Sequence, residues 1–160
     1  MIAQFCKWLA TTALSEWIQN TVWVIPMVQS VHILAVAVVM SSVLMMDLRL
    51  LGVVGRGASM AELERRFLPP VWIALGVLLV SGIVLIIGEP RRELLNDVFR
   101  LKMLMVIIVT GLTLFLRDRV AASPSAGAPT VPIKLAALIS LMFWLSILTA
   151  GRWIAYTVDG

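Results

Sequence analysis

A run of apolar residues from Val22 to Leu51, reading WVIPMVQSVHILAVAVVMSSVLMMDLRLL from Trp23 onward, restricts this chain to very few environments. A helix needs about 20 largely apolar residues to cross roughly 30 Å of hydrocarbon, and this run exceeds that length. It also carries His32, the one histidine in the sequence. An imidazole inside such a segment needs a polar partner, which makes it a candidate functional group.

Composition extends the constraint to the whole chain. Of 160 residues, 61% are hydrophobic and 14% charged, and the mean hydropathy is +1.00. Soluble domains are about half apolar and a quarter charged. The fold class is therefore all-α, an integral membrane four-helix bundle with a short N-terminal interfacial helix. Residues 1–160 form a single membrane domain, since no connecting segment is long enough for a second, soluble one. The lone Cys6 excludes an intramolecular disulfide and any multi-cysteine metal site. The net charge of +4 comes from basic residues beside apolar segments, where they serve topology and lipid headgroups. The expected partner is the lipid bilayer and not nucleic acid.

Apolar content and breakers divide the chain. Residues 3–19 are too interrupted to span, but Trp8, Leu9, Ala13 and Trp17 recur at helical spacing, as in a helix lying at the interface. No compact apolar region with a small-residue cleavage site marks a signal peptide. The first span is expected at 22–46, with Trp23 at the interface, Pro26 in the first turn, and Asp47 and Arg49 at the far boundary. The second is expected at 69–88, opened by Pro69–Pro70 and closed by Gly88–Glu89–Pro90. Asn96 and Asp97 cap a third span at 98–116. The stretch AASPSAGAPT at 121–130 reads as a flexible linker before a fourth span at 132–157.

Four spans put both termini on one side. The opposite side carries six basic residues, Arg56, Arg65, Arg66, Arg117, Arg119 and Lys134, against Lys7, Arg91, Arg92 and Arg100. The positive-inside rule places the six-charge side in the cytoplasm and both termini outside, as expected for a multi-pass protein of a bacterial cytoplasmic (inner) membrane.

Depth along the spans singles out three basic groups. His32 lies about 13 Å into the first helix, Lys102 about 9 Å into the third, and Arg152 about 9 Å from the end of the fourth, all from the side of the termini. A charge at mid-helix costs roughly 2.5–3.5 kcal/mol on insertion scales, and few acids lie at the depth of Lys102 and Arg152. Each residue alone has a plain reading. His32 suits a hydrogen-bonded core histidine, Lys102 a lysine snorkelling to the interface, and Arg152 a partner for Asp159 or lipid phosphate. Their convergence suits an anionic ligand inside the bundle, such as haem b, whose iron takes an imidazole and whose propionates take Arg or Lys. Met40, Met103 and Met142 lie within spans as sixth-ligand candidates or core filler. A second polar group, Asp47, Arg49 and Arg117–Asp118–Arg119, reads as an ion pair between the first and third helices. Ser41, Ser42, Gly76, Ser81, Gly82, Gly111 and Ala150–Gly151 read as small residues that let helices approach. The tryptophans, among them Trp72, Trp144 and Trp153, read as interface anchors.

His32 early in the first span, DLRLLG at its end, ELERRF before the second and FRLKMLMV opening the third resemble the four-helix HemJ-type and CopD-like membrane proteins. That resemblance implies haem b, with His32 and Lys102 as the key residues, and a membrane oxidoreductase related to protoporphyrinogen IX oxidation. The fourth helix, with AGRWIAY, looks more like an uncharacterised bacterial relative, and the further histidines of the HemJ type are missing here.

The leading expectation is a haem b-binding membrane protein acting in electron transfer or a membrane redox step. His32 serves as metal ligand, Lys102 as second ligand or propionate partner, and Arg152 as propionate partner. With one histidine per chain, a bis-histidine haem requires a homo-oligomer. The alternative is a cofactor-free accessory or assembly subunit of a larger membrane complex, and a transporter is a third, with no inverted repeat to support it.

Overall fold

The computed structural model describes residues 1–54, 60–121 and 130–153, with the side chains at 60, 61, 63, 64 and 116–121 outside that description. Among the described residues the chain forms seven helices: α1 (Ile2–Ala10), α2 (Ala13–Asn20), α3 (Val24–Leu50), α4 (Met60–Gly88), α5 (Pro90–Leu94), α6 (Asp97–Ala121) and α7 (Val131–Trp153). Four of them, α3, α4, α6 and α7, are long and apolar enough to cross a membrane. The protein is an all-helical, multi-pass membrane bundle.

The pattern of burial explains why these helices belong in lipid. In α3, Ala35, Val39, Ser42, Val43, Met46 and Leu50 are buried along one stripe, spaced as one helical face requires. The other face is apolar too: Ile33 and Leu34 are 66% and 67% exposed. Ile73, Leu79 and Ile107 are exposed to a similar degree on α4 and α6. Such surface is costly in water and at home in acyl chains. Inside, Ala35, Val39 and Val43 meet Ala74 of α4, Val109 of α6, and Trp144 and Ile147 of α7.

The four long helices stand as a row, α4–α3–α7–α6, with each neighbouring pair in close contact. The ends of that row, α4 and α6, approach each other far less closely. The short helix α5 touches both and ties them together, and α1 packs against α5.

Several boundaries differ from the sequence expectation, each for a local reason. The interfacial helix is two helices. Thr11 and Thr12 turn their hydroxyls back onto the carbonyls of Trp8 and Leu9 at 2.8 and 2.7 Å, and Thr12 also caps α2 by accepting from the Ser15 N–H. The first span runs past Met46 to Leu50, which brings Asp47 inside. It ends where Gly52 takes φ +80° and the N–H groups of Gly52 and Val53 return to the carbonyls of Arg49 and Leu48, a Schellman ending. The second helix begins at Met60, so Pro69 and Pro70 lie within it. They free two carbonyls near the polar end of the span, where such a loss is tolerated. The charged loop after Gly88 contains helix α5, and Asn96 caps α6 as expected, accepting from Val98 N–H at 2.9 Å. Trp144 is a core residue at 7% exposure and no interface anchor. Trp72 and Trp153 are exposed. Gly76 and Gly111 face open space, so no described helix uses them for close approach. The loop at 55–59, the linker residues 122–129, the tail at 154–160 and the side chains of Arg117, Asp118 and Arg119 lie outside the described residues.

The lead-in helices grip the end of α4. Ser15 donates to the Ile87 carbonyl at 2.6 Å, Gln19 donates to Ser15 at 2.8 Å, and the Cys6 thiol donates to the Pro90 carbonyl at 3.5 Å. Between them sits Gly88, where an added Cβ would stand 2.5 Å from Ile25 Cδ1 and 2.9 Å from Ile18 Cγ2. Gly88→Ala is expected to lower stability by about 1–3 kcal/mol through overpacking, while Gly76→Ala, in open space, is near neutral. Thermal unfolding of the two variants in one detergent distinguishes them. Equal melting temperatures would show that the elbow yields freely.

Candidate functional site

Helix α3 presents His32 to α4, and the contact there is specific. His32 Nδ1 lies 2.7 Å from Ser81 Oγ. The Ser81 hydroxyl carries one proton, and its shortest acceptor is the Val77 carbonyl one turn back, at 2.6 Å, with the Leu78 carbonyl farther off at 3.3 Å. When that proton goes to the Val77 carbonyl, Ser81 accepts from the ring. In that arrangement the proton of a neutral imidazole sits on Nδ1 and the lone pair on Nε2. Gly82 lies against the ring edge, its would-be Cβ 3.8 Å from Cε1. Ser81 is 6% exposed, so the anchor is dry.

Lys102 reaches the same region from α6. It acts electrostatically on His32, and its Nζ lies 3.8 Å from the position a Cβ on Gly151 of α7 would take. The bare surface of Gly151 gives the ammonium room beside α7. Four helices therefore contribute: α3 through His32, α4 through Ser81, α6 through Lys102 and α7 through Gly151. Arg152, the third residue singled out by depth, adjoins Gly151 and is exposed on α7. It engages in an interaction of its own, while His32 and Lys102 are the pair brought together. Of the methionines, Met40 packs on the core, and Met103 and Met142 are exposed.

Sequence reasoning misses two members. Ser81 reads there as a small packing residue, although a serine one helical turn past Val77 in an apolar span is a ready acceptor for a neighbouring ring. Glu93 is an acid set against Lys102 that a count along the spans does not include. It lies on α5, outside the spans, and the two groups act on each other electrostatically. Burial pushes the Glu93 carboxyl above its ordinary range, the Lys102 and Arg92 charges pull it back, and Glu89 pushes it up again. Arg92 is itself paired with Glu89 at 2.8 Å. The exposed Arg100–Asp97 pair at 3.2 Å contributes little, though Arg100 also donates to the Leu94 carbonyl at the end of α5. Among the described residues no three His, Cys, Asp or Glu side chains gather as a metal cage. A metal here would need further ligands from a group it arrives with.

The displaced Glu93 has a pH signature. Its folded-state value stands above the unfolded one, so the folded protein holds that proton more tightly. The stabilising contribution is full below the unfolded carboxylate range and is lost as pH rises through the folded value. Relative to Glu93→Gln, which does not titrate, the wild type is expected to lose melting temperature as pH rises above the ordinary carboxylate range. Parallel profiles for the two proteins would show that Glu93 titrates normally.

No curated protein and no solved structure matches the chain. One family does match, over residues 5–157, which is nearly the whole chain, and the protein belongs to it: a family of unknown function (DUF6644).

Proposed function

We propose that this protein binds haem b at the His32–Lys102 site and acts in electron transfer or a membrane redox step. The observation that carries the reading is the hydrogen-bond chain from Nδ1 through Ser81 to the Val77 carbonyl. Ligating histidines characteristically donate their second ring N–H to an anchor that fixes tautomer and orientation. His32 has that anchor, and its Nε2 carries the lone pair a metal needs. Lys102 supplies a second ligand or a propionate partner, and the exposed Arg152 supplies a propionate partner at the membrane surface. When bound, the haem supplies one-electron chemistry. The chain's own residues hold the ring upright, keep water from Nδ1 and place one cation beside it. The resemblance to HemJ-type and CopD-like proteins fits this reading, as do a homo-oligomer, a bacterial cytoplasmic membrane location and termini on the external side.

A second reading rests on Glu93. Because an acid of the chain already faces Lys102, the His32–Lys102–Glu93 group also suits a self-contained polar network in a cofactor-free accessory subunit of a larger membrane complex.

Absorption spectra of detergent-purified protein expressed with ample haem separate the two. A Soret band and a reduced α-band are expected in the parent and are lost in His32→Ala. In Ser81→Ala the ligand remains but its anchor is gone, and haem affinity is expected to fall by about 10–100-fold. A featureless parent spectrum would overturn the haem reading and favour the accessory subunit.

A further inference from the structure

Toward the opposite end of the bundle, three buried polar atoms on facing sides of α3 and α7 have no hydrogen-bond partner among the described residues: Oδ2 of Asp47, Oγ of Ser140 and Nε1 of Trp144. Their residues are 4%, 0% and 7% exposed. The site is separate from the first, since Asp47 lies fifteen residues beyond His32, or about 22 Å along the helix.

The two helices run antiparallel, so residues pair in opposite order. Asp47 lies beside Ser140, and Trp144, one turn farther along α7, lies beside Val43, one turn back along α3. The Asp47 carboxyl and the Ser140 hydroxyl face one another, yet neither Oδ2 nor Oγ completes a bond of good geometry. A cavity of about 30 Å³ lies beside Trp144, lined also by Val43, Met46 and by Thr110 and Thr113 of α6, one helical turn or less from Asp47 and Ser140 along their helices. That volume holds one water molecule.

The three orphaned atoms complement one another. An indole N–H only donates, a hydroxyl donates and accepts, and a carboxyl oxygen accepts or, when protonated, donates. Each left unsatisfied costs about 1–3 kcal/mol. A single water can take the indole proton as acceptor and link the hydroxyl to the carboxyl. We propose that Asp47, Ser140 and Trp144 form a water-bridged proton-binding site, in which Asp47 takes up and releases a proton inside the membrane. The proton passes between Oδ2 and the bridging water, which exchanges it with water at the membrane face near the end of α3. Release leaves a carboxylate, which the Ser140 hydroxyl and the water bonded to Trp144 then hold as donors.

Among the described residues, charged groups on the packed elements are few, and the side chains of Arg117, Asp118 and Arg119 on α6 lie outside them. Arg49 lies two residues on along α3, half-buried and engaged in an interaction of its own. On α4, Glu62, Arg65 and Arg66 are exposed or half-exposed, and on α7, Lys134 lies nearly two turns before Ser140. The described charged side chains of α6, Asp97, Arg100 and Lys102, sit in its first two turns, at the His32 end of the bundle.

The test is labelling of the full chain in detergent or nanodiscs with N,N′-dicyclohexylcarbodiimide, an apolar reagent that attacks protonated carboxyls. Modified peptides are read by mass spectrometry between about pH 5 and about pH 9. An Asp47 adduct whose yield falls as pH rises is expected. Ser140→Ala and Trp144→Phe each remove a donor that holds the carboxylate, directly or through the water, so each is expected to move the midpoint to higher pH. The titration is made on the wild-type chain and so does not depend on Asp47→Asn folding. Absence of an Asp47 adduct in folded protein, or a yield that ignores pH, would overturn the proposal. Protection by sodium at constant pH would assign the pocket to a cation and overturn it equally.

Discussion

Hydrocarbon offers no water to a polar atom, so each one inside the bundle must find its partner in the protein or in a water the protein encloses. The His32 site is one solution to that requirement. A ring nitrogen, a hydroxyl and a backbone carbonyl form a chain in which Ser81 accepts from the ring while it donates to Val77. The chain fixes a tautomer, and the tautomer decides which nitrogen remains available. A rotation of Ser81 away from Val77 would remove that assignment, which is why a serine carries more chemical meaning here than its size suggests.

The lead-in helices matter through the same constraint. At the end of α4 the last carbonyls of the span lose their helical donors. Ser15 meets that of Ile87, and Cys6 meets the Pro90 carbonyl in the elbow beyond it. Gly88 lets Ile18 and Ile25 close over the bend. Beyond the bend, α5 carries Glu93 toward Lys102. The interfacial segment therefore sets the charge balance of a group on another helix.

Much of this is legible in the sequence because lipid imposes long apolar runs, and a lone histidine or lysine stands out within them. Depth alone picks out His32, Lys102 and Arg152, and the structure brings the first two together. The features that escape are those that depend on partners. Ser81 looks like any small residue until the ring opposite it is known. Glu93 lies in a loop by hydropathy and acts on Lys102 from a five-residue helix that no periodicity signals. Trp144 has the side chain of an interface anchor, and its place in α7 follows from the space left by Ala35, Ala74 and Val109. The prolines at 69 and 70 mark a helix start in most contexts, yet here a polar turn precedes them.

Both partners of the His32–Ser81 bond belong to α3 and α4, two helices adjacent in sequence and in closest contact in the bundle. During synthesis this hairpin leaves the ribosome before α6 and α7 exist. Domains and their parts assemble from the N-terminal side as the chain emerges. The imidazole thus takes its orientation from residues 24–88 alone, and Lys102 arrives at a ring already set. In the order of biogenesis, the acceptor nitrogen is made first and its electrostatic neighbour is added to it.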